Sequence, residues 1–135
     1  MDKIVKRLKN YIPFRVELED EAERRKRLQA QETYHPAKMA SLVDGRVDYD
    51  DTPPKWVVAL QAELAEIERM IECLDDPLER TVLRLRYIDG DEEDRTKPKK
   101  WTDVAAKLYG SPYKERMARR LHNKAVEHLN EKSHP

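Results

Sequence analysis

Between Val57 and Leu74 the apolar residues Val57, Leu60, Leu64, Ile67, Ile71 and Leu74 recur at intervals of three and four, with Glu63, Glu66, Glu68, Arg69 and Glu72 among them. Such spacing draws one apolar stripe along an α-helix; a strand, whose side chains alternate with a period of two, cannot bury it on one face. The stripe also fits the a and d positions of a heptad for about two and a half heptads, where a coiled coil normally runs for about three to four. Two arrangements satisfy it: a helix packed on the rest of its own chain, or a seam between two copies. With 39% of residues hydrophobic, 40% charged and only three glycines, amphipathic helices with solvated outer faces are favoured over hairpins and layered sheets. The expected fold class is all-α, and 135 residues leave room for one compact domain with an appendage.

The single Cys73 excludes an internal disulfide and suits a reducing compartment. The N-terminal MDKIVKRLKN is charged and carries no apolar stretch of the kind a secretory signal needs. Trp56–Leu60, the longest apolar run, is far too short for a bilayer, so no membrane association is expected and the setting is taken as cytoplasmic.

Residues 1–54 divide into charged helices and a linker. Ile4, Val5, Leu8 and Ile12 share one side of a short helix that Pro13 is expected to end. Residues 17–33 offer only a thin stripe of Leu18, Ala22 and Leu28, which suits a helix lying on a surface or loosely docked. His35 to Pro54, with its prolines, Gly45 and the acids Asp48, Asp50 and Asp51, has the composition of a linker. Residues 55–135 form the main helical domain. After the striped helix, Asp76 and Pro77 supply an N-cap and a first-turn proline for a helix running through Leu78, Val82, Leu83, Leu85 and Ile88 to Asp89-Gly90. A polar loop, DEEDRTKPKK, leads to Trp101 and to Thr102, which is placed to cap a helix through Val104, Ala105 and Leu108, with Trp101 stapled onto its first turns. Gly110, Ser111 and Pro112 break the chain before a last helix with Met117, Ala118, Leu121, Ala125 and Leu129 on one face. Three short helices with a tight break before the last suit the helix-turn-helix group, spanning about residues 76–129.

Charge singles out the end of this region. Residues 95–128 hold ten Lys or Arg against Asp103, Glu115 and Glu127, a local +7, whereas residues 48–94 come to −10 in a chain of net charge zero. A molecule so polarised presents a basic face to phosphates and an acidic face that repels them. At about 100° per residue the apolar stripe of the last helix centres on Met117, Leu121 and Ala125. Opposite lie Arg116, Arg119, Arg120, Asn123 and Glu127, with Lys124 on the flank. Arg pairs bidentately with guanine and Asn with adenine, while Lys neutralises backbone phosphates. The loop lysines Lys99 and Lys100 are expected on phosphates. Double-stranded DNA is the expected partner.

The runs LDDPLERTVLRLRYIDG, WTDVAAKLYGS and RMARRLHNKAVEHL resemble region four of bacterial sigma factors, and resemble more closely the phage late transcription regulators of the ArpU and RinA type. The likeness covers about residues 72–129 and rests on a leucine-rich helix ending in Arg-Tyr, a short helix around Val-Ala-Ala and a last helix with a Leu-His step. It implies a sequence-specific transcription regulator of phage or prophage late genes, acting in a bacterial host, with host RNA polymerase as a candidate second partner. It places recognition on Lys114, Arg116, Arg119, Arg120 and Asn123, and puts Thr102 at the start of the supporting helix, where backbone amides meet a phosphate. Two stretches depart from the family pattern: the break Tyr109–Tyr113 and the loop Asp91–Lys100 are both longer than the compact form.

Other features carry less. Asp89-Gly90-Asp91 is a solvated turn, not a calcium loop, because the glycine is misplaced and no bidentate Glu follows at the right offset. His122 and His128, six apart, share no helix face, and no zinc spacing exists. Tyr87 suits core packing with its hydroxyl at the surface. Neither a phosphate loop nor a nucleophile-base grouping stands out, so no enzyme, metal or cofactor is expected. Two other functions share these residues: a protein-interaction module binding a polymerase subunit without DNA, and the DNA-recognition subunit of a phage packaging machine. The expected oligomeric state is a monomer or weak homodimer, since two acidic helices brought together repel.

Overall fold

A computed structural model describes residues 2–33 and 52–133, and the expected linker lies almost wholly outside them. The described residues are helical, with no strand among them. The helices are α1 (Asp2–Thr33), α2 (Lys55–Glu72), α3 (Pro77–Leu83), α4 (Trp101–Tyr109) and α5 (Glu115–Ser133). A π-helical turn, Arg84–Asp89, prolongs α3, and a 3-10 turn, Pro112–Lys114, leads into α5. No helix among the described residues is long and apolar enough to cross a membrane.

Pro13 does not end the first helix; α1 runs through it for 32 residues. A mid-helix proline removes one hydrogen bond and costs about 3 kcal/mol. Pro13 is exposed, and so is Lys9, whose carbonyl loses its partner on the same helix face. Packing on both sides keeps the helix continuous: Tyr11 and Ile12 are buried just before the proline, Val16 packs on the core, and Arg15 donates to the carbonyls of Ile88 and Arg95. Beyond Leu18 the stripe expected from Ala22 and Leu28 is exposed, and this end of α1 carries ion pairs such as Arg24 with Asp20 at 2.9 Å.

The boundary at residue 54 does not divide the core. Ile4, Leu8, Tyr11 and Ile12 of α1 share one apolar cluster with Ile67, Ile71 and Leu74, Val82 and Leu83, Val104 and Ala105, and Ala125, Val126 and Leu129. The α2 stripe is thus met by its own chain. Arg7 donates to Glu63 at 2.8 Å and Tyr11 to Glu68 at 2.6 Å, an order of pairing that makes α1 and α2 parallel. Burial, and then the bond to Glu68, push the Tyr11 hydroxyl up to about 12.

The α3 start follows the sequence: Asp76 Oδ1 accepts from the Leu78 amide at 2.9 Å, with Pro77 in the first turn. The switch to a π turn at Arg84 was not legible. Two of that turn's carbonyls have outside donors, Lys99 N–H on Arg86 O and Arg15 on Ile88 O, which supports its wider winding. The segment after it is no solvated turn. Gly90 and Asp91 are buried, and at φ 74° Gly90 lets the Lys97 carbonyl approach so closely that a Cβ would meet it at 3.1 Å.

Candidate nucleic-acid interface

The last helix is rotated from its expected setting. Its buried positions are Ala118, His122, Ala125, Val126 and Leu129, while Met117 is 48% exposed and Leu121 sits at the margin. Small residues at 118 and 125 let α5 lie close to its neighbours, and the polar His122 takes a place in that seam. Its Nε2 accepts from the Tyr87 hydroxyl at 2.6 Å, and its Nδ1 donates to Asn123 Oδ1 at 3.0 Å, roles that suit a neutral ring. Burial lowers the His122 pKa below its ordinary 6.5 and raises that of Tyr87, so both are neutral at pH 7. The Tyr87 hydroxyl is therefore inside, not at the surface.

Trp101 closes the same cluster. It meets the His122 ring edge-on, with centroids 5.1 Å apart, and the guanidinium groups of Arg86 and Arg119 lie 4.7 and 5.3 Å from its own centroid. Arg86 also donates to the Lys99 carbonyl, and burial lowers its pKa. Trp101 thus docks α4 on α5, and it is the first residue of α4 where the expected staple would precede the helix. Helix α4 begins two residues early, with Lys100 at the cap position and no side-chain cap, so Thr102 is an exposed first-turn residue and not the cap. Gly110, at φ 73°, ends α4 in the left-handed conformation. Ser111 Oγ then accepts from the Tyr113 amide at 3.3 Å and starts the turn into α5.

The expected contact residues separate into three groups. Lys114, Arg116, Arg120, Asn123 and Lys124 are exposed along one side of the turn and helix that follow Ser111. Lys100 and Thr102 are exposed at the start of α4, which Trp101 brings beside Arg119. Arg119 is exposed but engaged, with its guanidinium 2.8 Å from Glu115 and over Trp101. Lys99 departs from expectation. Only 1% of it is exposed, its stem is enclosed, and its ammonium faces Glu92 at 3.8 Å, so it does not project toward a phosphate. Glu92 also binds Lys107 at 2.7 Å, which lowers the Glu92 pKa and raises that of Lys107.

From Arg116 to Lys124 α5 carries no acid, and Glu127 and Glu131 then end the basic stretch. At the far end Glu79, buried on α3, holds His128, and Lys132 reaches the Cys73 carbonyl at 2.6 Å. Sequence reasoning missed the Tyr87–His122–Asn123 chain and the Arg86–Trp101–Arg119 stack. One signal for the first was present, since Ala118, His122, Ala125 and Leu129 follow one another at four, three and four. Comparison of the chain with known protein families, curated proteins and solved structures returns no match.

Proposed function

We propose that the chain is a sequence-specific transcription regulator that binds double-stranded DNA, with α3, α4 and α5 serving as a helix-turn-helix of the sigma-region-four kind and α5 entering the major groove. The observation that carries this reading is the acid-free, exposed face from Arg116 to Lys124, seated on a helix whose orientation is fixed from below by Tyr87, His122 and Trp101. From Lys114 to Lys124 the chain rises about 15 Å, a length suited to a groove about 12 Å wide. Basic character lies in the first half of α5, the end that meets base edges in such folds. Asn123 suits an adenine reader, because the bond from His122 orients its carboxamide. The resemblance to phage late regulators adds the setting, a bacterial host, and RNA polymerase as a second partner.

The test is a titration of duplex DNA with the full chain across a salt series. Lys100, Lys114, Arg116, Arg120 and Lys124 are exposed and, unlike Arg119, are not paired with an acid among the described residues, and if each neutralised one phosphate the slope of log affinity against log salt would be about −4.5. Failure to retain any duplex at low ionic strength would sink the reading in favour of a protein-interaction module.

A further inference from the structure

Tyr113 and Met117 are large apolar side chains that the fold does not bury, being 94% and 48% exposed. Neither belongs to the core cluster. The backbone nevertheless holds Tyr113 in place: Ser111 Oγ caps its amide, Pro112 precedes it, and the Lys114 amide donates to the Ser111 carbonyl at 3.3 Å. Met117 follows four residues on, and Arg120 and Lys124 continue the line at seven and eleven, so the apolar pair begins a row that the basic residues complete.

Lys114, Arg116 and Arg120 adjoin the pair in the chain and along the helix, and Glu115, the acid between Tyr113 and Met117, is taken up by Arg119, so what covers the pair should be anionic and yet offer an apolar group. The major groove of DNA does both, for phosphates line its rims and thymine projects a 5-methyl group from its floor. We infer that Tyr113 and Met117 form an apolar ridge that packs on thymine methyl groups in the site read by α5, specifying thymine where the arginines cannot. The inference rests on the proposed DNA-binding function and adds the base it selects. It also accounts for the long break between α4 and α5, whose added residues carry Tyr113 out to the groove.

The experiment begins with selection of bound sequences from random duplex DNA by the full chain. Each thymine of the selected site is then replaced by deoxyuridine, which removes the methyl group and keeps base pairing. The expected result is affinity about fourfold weaker for each methyl the ridge covers, the factor that burial of one such group supports. Met117→Ala and Tyr113→Ser, both surface changes, should bind the thymine and deoxyuridine duplexes alike at the positions they contact. Selected sites without thymine, equal binding of both duplexes by the unaltered chain, or a loss undiminished in both variants would overturn the inference and leave DNA binding intact. No binding to any duplex would instead remove the proposed function, and the ridge would pass to an acidic protein partner.

Discussion

Helices α2 and α5 are nearly equal in length, 18 and 19 residues, and both lay one face on the same core, yet they are held there by different means. Helix α2 is seated by volume. Its buried residues are Val57, Ile67 and Ile71, and such side chains fix a helix by filling space, with Arg7 and Tyr11 adding polar ties at the rim. Helix α5 buries Val126 and Leu129 as well, but its seam also holds the small Ala118 and Ala125 and the polar His122, and it is seated by direction: one hydroxyl, one imidazole and one indole in mutual contact accept few rotations. The outward faces differ too, since α2 shows Glu68 and Glu72 to solvent and α5 shows Arg116, Arg120 and Lys124. An element that need only be present can be packed with Ile, whereas one whose side chains must point at a target gains from oriented polar contacts.

If α2 is seated by volume, the largest effect is expected at Ile67, which is fully buried there: Ile67→Ala should cost about 2–5 kcal/mol in urea unfolding. Sedimentation of the same variant should match the unaltered chain, because the stripe is covered from within; loss of a tight dimer would restore the intermolecular seam. On α5, Arg120→Ala should weaken a preferred duplex by about 1–3 kcal/mol and relax its base preference, with unfolding unchanged. A stability loss as large as that of Ile67→Ala would show that Arg120 is structural.

Tyr87→Phe tests the seat itself. It leaves His122 Nε2 without a donor and should cost about 1–2 kcal/mol of stability, while loosening Asn123 enough to reduce discrimination at one base position. The same histidine sets a pH dependence. Its pKa is lower in the folded than in the unfolded chain, so between 6.5 and that lower value the unfolded state binds more protons. Its contribution is complete above 6.5 and lost as pH falls through the window. Replacing His122 by Phe should flatten that limb of the stability curve, and an unaltered limb would assign it elsewhere.

The smallest effect separates two neighbouring lysines. Lys100→Ala should lower affinity for all duplexes alike and make the salt slope shallower by about 1. Lys99→Ala, whose side chain lies inside, should leave the slope unchanged.

The sequence made the helices legible because their periodicity is coarse: the α2 stripe, the Asp76–Pro77 start and the Gly110 stop all stand where local chemistry puts them. What stayed hidden came from tertiary contact. Pro13 marks a helix end on local grounds, and only tertiary contacts, the burial of Tyr11 and Ile12 and the reach of Arg15 to Ile88 and Arg95, keep α1 going. A π turn from Arg84 to Asp89 winds more widely inside a pattern that still looks α-helical. On the candidate interface, charge and spacing named the exposed basic group from Lys114 to Lys124, since a basic face needs no partner to be basic. They misassigned Lys99, because the burial of a lysine depends on a loop that folds over it.

Trp101 gives this molecule a built-in optical gauge. Of two tryptophans, Trp56 is 42% exposed, whereas Trp101 is half-buried, with two guanidinium groups close to its ring and its ring set edge-to-face with that of His122. Its emission therefore depends on how α5 sits against α4. With Trp56 replaced by Phe, the remaining fluorescence would follow the seating of the basic helix in the unlabelled protein, in real time and at any salt concentration.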